Sequence, residues 1–323
     1  MANYSKDKGI NVKSYTSDPP NAYPSAFEGK LYYNSGDGQI KYQTLGAGAW
    51  ASGGNLNTAK SRMGSAGTQT AGLVAGGEPS PVPDQTEEYN GTAWSEVNEL
   101  NTGRIALAGA GTQTAAIVAG GTPPDRDECE SYDGTNWTEV ADLNTARYYF
   151  KGVGTQTAAL VFAGRHAPSA TNANAESWDG SSWTETGDLN TARRTVSGAG
   201  IQTSALCFGG STPSATGVTE SFNGSSWTEV GDLNTARGSL AGMGNASNTD
   251  AVVAGGDSGP KVNAEQYDGT SWTEVADLAS VRFGHKGAGS SSLGFVAGGE
   301  TPPYTTATEE WTITHTLKKV TTG

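Results

Sequence analysis

The sequence predicts an all-β fold of radially repeated four-stranded sheets, a β-propeller, and three observations carry that expectation. A fifteen-residue stretch, DGTNWTEVADLNTAR at 133–147, returns as NGTAWSEVNELNTGR (90–104), DGSSWTETGDLNTAR (179–193), NGSSWTEVGDLNTAR (223–237) and DGTSWTEVADLASVR (268–282). The basic residues that end these copies are spaced by 43, 46, 44 and 45 positions, so the unit is about 44 residues long. An apolar run that closes on glycine, or on Gly-Arg in one case, precedes each copy, as in GLVAGG (72–77), AIVAGG (116–121), LVFAGR (160–165), LCFGG (206–210) and VVAGG (252–256), and a sixth, FVAGG (295–299), follows the last. No segment shows helical periodicity, and 46 of the 323 residues are glycine, which suits many short strands joined by tight turns.

Each unit reads as four strands. In the second unit IALAGAG is the first strand and GTQT a polar turn. AAIVAGG, nearly all apolar, suits a strand buried on both faces. The third strand is CESY, one of six elements that join a glutamate to an aromatic: EEYNG (87–91), ESYDG (130–134), ESWDG (176–180), ESFNG (220–224), EQYDG (265–269) and EEW (309–311). Asp-Gly or Asn-Gly, a hairpin-favouring pair, turns the chain into WTEV, the fourth strand. Asp133, Asp179 and Asp268 are turn residues on this reading.

The two ends of the repeat array fit one another. The last unit stops at EEWTITHTLKK without its WTEV half, whereas the array opens on a truncated half, AWASGGNLNTAK at 49–60. The strand around Ala49–Ser52 is therefore expected to complete a sixth sheet beside Glu309–Thr314, leaving no open edge. The expected domains are an N-terminal arm at 1–46, a six-bladed propeller at 47–314 and a C-terminal tail at 315–323.

Gly-Gly followed after eleven residues by an aromatic (Gly121 to Tyr132), and by a Trp five residues later (Trp137), resembles the kelch repeat over roughly residues 50–311. The unit is shorter than the roughly 50 residues of that repeat, and Gly164-Arg165 replaces Gly-Gly in one copy. WD repeats fit less well, because their Gly-His element is missing.

In the arm, KLYYN and QIKYQ are strand-like around a Ser-Gly-Asp-Gly turn, and SDPPNAYPSAF (17–27) is extended and Pro-rich. The order Gly29, Leu31-Tyr32-Tyr33-Asn34, Lys41 and Trp50, joined to units most of which end DLNTAR, resembles virion proteins of marine and cyanobacterial tailed phages, tail fibre or appendage components among them. The resemblance implies a non-enzymatic structural or host-adhesion protein of the virion, made in the host cytoplasm without a signal peptide. It would dock on tail or capsid proteins through Tyr23, Phe27, Leu31, Tyr32 and Tyr33, as a homo-oligomer in the particle. Two rivals stand beside it: a cellular kelch-type module that binds a protein partner, and a carbohydrate-active propeller.

A net charge of −13 and a pI of about 4.6 speak against a nucleic-acid partner. No run approaches the roughly 20 apolar residues of a membrane span. Cys129 and Cys207 fall in different strands of non-adjacent units, so no disulfide is expected. His166, His285 and His315 are scattered without partners at metal spacing, and neither a metal nor a cofactor is expected. Asp133 to Trp137 is one residue too short for the Asp box of sialidases, and no set of copper-oxidase ligands can be assembled.

Comparing the copies separates scaffold from decoration. Arg104, Arg147, Arg193, Arg237 and Arg282 repeat at one place, and Glu130, Glu176, Glu220, Glu265 and Glu310 are expected to meet them as a structural ring. The second-to-third-strand loops vary, and loops on a rigid scaffold are where recognition lives. The candidate binding residues, for a host-surface glycan or protein, are Asp84, Asp125, Arg126, Asp127, Arg165, His166, Lys261 and Tyr304.

Overall fold

Alternation of side chains along each strand puts one set of every repeat against the preceding sheet and another against the following one. In the computed structural model, which describes residues 13–17, 31–79, 84–166, 170–257, 259 and 261–320, this pattern produces a β structure with no helix among the described residues. The chain divides into two units, Met1–Ala49 with Thr312–Gly323, and Trp50–Trp311. The C-terminal residues thus group with the N-terminal arm, where the sequence set them apart as a tail.

The Trp50–Trp311 unit is a propeller-like set of antiparallel sheets with the strand order read from the repeats. The first sheet runs Gly64–Thr68, Ala71–Ala75, Thr86–Tyr89, Trp94–Val97. The second runs Ala108–Thr112, Ala115–Gly121, Arg126–Tyr132, Trp137–Val140, and the third Lys151–Thr155, Ala158–Phe162, Ala175–Trp178, Trp183–Thr186. Ser197–Ile201, Ser204–Phe208, Thr219–Phe222 and Trp227–Val230 form the fourth. Ala241–Met243, Ala251–Ala254, Ala264–Tyr267 and Trp272–Val275 form the fifth. A sixth has Lys286–Gly289 and Leu293–Ala297, followed by the start of the long strand Thr308–Lys319 and the end of Gln39–Ser52. The chain's first and last repeat halves therefore share a sheet, and the Trp50 and Trp311 rings lie 5.1 Å apart.

The core lies between sheets. Ile117 and Cys129 of the second pack with Phe150, Val161 and Trp183 of the third. The third meets the fourth through Leu160, Phe162, Cys207 and Trp227. Within a sheet, the third-strand aromatic pairs in register with the fourth-strand Trp, as Tyr132 with Trp137 at 4.8 Å and Phe222 with Trp227 at 4.9 Å. Such aromatic pairs add about 0.5–1.5 kcal/mol beyond the area they bury. Both cysteines are free and buried.

Inner strands touch in chain order, and the first also touches the sixth. They crowd so closely that a Cβ at Gly109 would stand 2.7 Å from the Ser65 backbone, and one at Gly242 would stand 2.9 Å from the Gly198 carbonyl. Glycine here serves close approach between strands.

In the other unit Leu31–Asn34 and Gln39–Ser52 form the antiparallel hairpin expected of the arm, with Leu31 opposite Tyr42, and Lys13–Tyr15 adds a parallel strand beside Leu31–Asn34. Tyr32 is 2% exposed and meets Tyr15 edge to face at 6.0 Å. This corrects its expected docking role: the strand turns Tyr32 inward, leaving Leu31 exposed and Tyr33 half-buried. Tyr23 and Phe27 lie outside the described residues.

Candidate ligand-binding face

The repeated arginines are taken up by a buried girdle of ion pairs. Arg147 pairs with Glu176 at 2.6 Å, Arg193 with Glu220 at 2.8 Å, Arg237 with Glu265 at 2.8 Å and Arg104 with Glu130 at 3.0 Å. All eight side chains are essentially inaccessible. The asparagine of the DLN connection completes each carboxylate: the Asn144 amide N–H donates to Glu176 Oε2 at 2.7 Å, and its side-chain Nδ2 donates to the same oxygen at 3.0 Å. Asn144 follows the outer strand of one sheet while Glu176 belongs to the next, so the girdle is a clip between sheets. Burial pulls the proton affinity of Arg147 down and the Glu176 charge opposes it, so the guanidinium stays charged.

Two details differ from the expected ring. Arg282 pairs with Glu309, not Glu310. The girdle glutamate stands two residues before the aromatic, on the same face of the strand, as Glu130 does before Tyr132, and the residue so placed before Trp311 is Glu309. Glu310 faces the other way and accepts a 2.6 Å hydrogen bond from Tyr89 Oη. Lys60 and Glu87, at 3.0 Å and both buried, supply a sixth pair that the arginine count missed.

Two residues beyond each girdle cation stand Arg62, Ala106, Tyr149, Thr195, Ser239 and Gly284, all with φ between 51° and 67°. Their backbones form a cycle. Arg62 N–H donates to Gly284 O, Ala106 to Arg62, Tyr149 to Ala106, Thr195 to Tyr149, Ser239 to Thr195 and Gly284 to Ser239, each at 2.7–2.9 Å. This rim lies at the end where the inner strands begin, and the variable loops share that end. Backbone bridges such as Ile105 with Thr122, Tyr148 with Arg165 and Phe283 with Glu300 tie loop bases to it.

The rim carries a polar cluster that the repeat comparison did not single out. Arg62 pairs with Glu78 at 2.6 Å and Glu300 at 3.0 Å, and its guanidinium lies 5.6 Å from the Tyr149 ring centroid. Tyr304 joins by donating to Glu78 Oε2 at 2.8 Å, and that carboxylate pushes the phenol up to about 12. The signal in the sequence was the variation at the second position after the basic residue.

The other candidates are dispersed over different loops. Arg126 is tied into its own loop, donating to Glu128 at 2.9 Å and to the Pro123 carbonyl at 3.1 Å. Arg165 lies over Tyr148 at 5.7 Å, and with His166 it forms a two-residue ladder to Ala170–Thr171. Asp84, Asp127 and Lys261 engage through their backbones, accepting from Leu100, Leu143 and Arg282. Asp125 is half-buried in the same loop as Arg126. Asp133, Asp179 and Asp268 are turn residues: Asp179 accepts N–H groups of Ser181 and Ser182 at 2.8 Å, and these bonds, Ser182 first, hold its carboxyl at about 2.

Among the described residues no group of three or more His, Cys, Asp or Glu could hold a metal ion, and no helix is long and apolar enough to cross a membrane. No protein-family model and no curated protein matches this chain.

Proposed function

We propose that this chain is a non-enzymatic structural or host-adhesion component of a bacteriophage particle. It would consist of a six-bladed kelch-like propeller closed by its N-terminal strand, with the N-terminal unit docking on neighbouring virion proteins and the variable loops turned outward. The observation that carries this reading is the division of the repeat into a near-invariant buried girdle and a face of unlike residues at one end of the inner strands. A scaffold that spends its repeated residues on rigidity and its variable ones on loops suits recognition better than turnover. The cyclic rim bonds and the Gln69 Nε2 bond to Trp311 O at 2.8 Å, which joins the first sheet to the sixth, support six blades and closure.

Docking through the arm is supported by Leu31, 41% exposed beside half-buried Tyr33. Light scattering on the full chain and on the Leu31→Asp variant tests it. An oligomer that dissociates in the variant supports a docking strap, whereas a monomer in both favours a free module that binds a protein partner through its loops.

A further inference from the structure

We propose that the channel between the inner strands holds a small tetrahedral oxyanion, inorganic phosphate or sulfate, on the ammonium group of Lys151, with the charge of Lys286 from the opposite inner strand adding to the attraction. The channel is a cavity of about 60 Å³, and its lining includes Lys151, Ser65, Asn245 and the inner-strand glycines, with no carboxylate; Lys286 immediately precedes the lining residues Gly287, Ala288 and Gly289. At roughly 10–15 Å³ per water position, that space takes a few waters or one five-atom oxyanion.

Lys151 opens the inner strand of the third sheet and Lys286 that of the sixth. In the cycle of inner strands these two are opposite one another, three sheets apart either way round. The equivalent residues of the other four sheets are Gly64, Ala108, Ser197 and Ala241, so the two charges are singular insertions in a repeat that otherwise keeps this place small and uncharged. Neither is explained by the scaffold, since four sheets form the same strand without it.

The electrostatics leave both lysines short of a counter-charge. Burial draws Lys151 down to about 8, with no acid acting on it. Burial, then Lys151 and Arg62, draws Lys286 down to about 7. Arg62 is itself matched to Glu78 and Glu300, which leaves the lysine pair as the uncompensated charge at the channel. Two like charges at and next to a confined polar channel are relieved by an anion held close to both, and ammonium groups are ready donors to phosphate oxygens.

Isothermal titration of the full chain with inorganic phosphate, and separately with sulfate, near pH 6.5, where both ammoniums carry charge, tests the assignment. The expected result is saturable binding of one anion per chain, weakened at least about tenfold in the Lys151→Met/Lys286→Met double variant and unchanged in Lys261→Met. Thermal unfolding keeps the experiment decisive, because removing two uncompensated charges should leave the double variant at least as stable as the parent in anion-free buffer and insensitive to added phosphate. Absence of saturable binding to the parent, or equal affinity in the folded double variant, would overturn the proposal.

Discussion

Girdle and rim stand two residues apart in every repeat, yet they have opposite histories of variation within the chain. The girdle position holds Lys60 once and arginine five times, while the rim position holds Arg62, Ala106, Tyr149, Thr195, Ser239 and Gly284, six different residues. The difference lies in which atoms do the bonding. The girdle works through side chains, each buried against one glutamate of the next sheet, so only a long cation fits. The rim closes through backbone N–H and C=O groups, so its side chains are left for other uses.

The largest effect should come from breaking that contrast at the girdle. Arg193→Ala leaves Glu220 buried without its cation and is expected to cost about 3–5 kcal/mol, read as a fall in the urea midpoint. Replacing both partners, Arg193→Met with Glu220→Leu, should recover most of that loss, because the penalty belongs to the stranded charge. An Arg193→Ala protein as stable as the parent would mean that the pair does no structural work.

His285 sharpens the comparison from the other side, as a departure within the scaffold. Three residues past the girdle cation the other repeats place Met63, Leu107, Phe150, Val196 and Leu240, all apolar and all buried, whereas the sixth places a histidine that is 1% exposed. Neither ring nitrogen forms a well-made hydrogen bond, and burial, then the Arg282 charge, holds its pKa well below the ordinary value of 6.5. His285→Leu is expected to stabilise the fold by about 1–3 kcal/mol, the usual cost of burying an unsatisfied polar group. The pH dependence follows from the same depression. Below the ordinary value the unfolded chain takes up a proton that folded His285 refuses, so the parent loses stability as pH falls from about 6.5 toward 5. Urea midpoints of parent and His285→Leu at neutral and mildly acid pH should diverge accordingly, and parallel curves would remove His285 from the account.

A smaller effect is expected at the GTQT turn. Gln156 donates from Nε2 to Tyr132 O at 2.5 Å, and Gln113 to Tyr89 O at 2.7 Å, each reaching the preceding sheet. Gln156→Ala should cost about 1 kcal/mol, the net worth of an ordinary hydrogen bond, in thermal or urea unfolding.

How much of this was legible depended on whether the signal was local. The strands, the turn carboxylates and the pairing of Tyr132 with Trp137 rest on alternation and on dipeptides, and both survive translation into structure. The choice of Glu309 over Glu310 also lay in alternation, since the girdle residue must share a face with the aromatic, but two adjacent glutamates hid it. The Gln clamps recur as letters in four copies and the Asn clips in five, yet the partners of Gln156 and Asn144 lie 24 and 32 residues away in another sheet. The placement of Lys151 and Lys286 on opposite inner strands was least legible, because it depends on the order in which those strands touch more than on either lysine's neighbours.

The smallest effect should fall on the rim, where it tests whether side chains there are free of the fold. Ala106 has φ of 56°, a left-handed conformation that costs a non-glycine residue roughly 1–2 kcal/mol. Ala106→Gly removes that strain but adds about 0.4–1 kcal/mol of unfolded-chain entropy, so the two nearly cancel. Its urea midpoint should match the parent closely, as expected of a position where Gly284 already stands in the sixth repeat. A loss of more than about 1 kcal/mol would show that the Ala106 methyl carries packing. The rim would then be scaffold like the girdle, and variation at this position would no longer mark the face proposed for recognition.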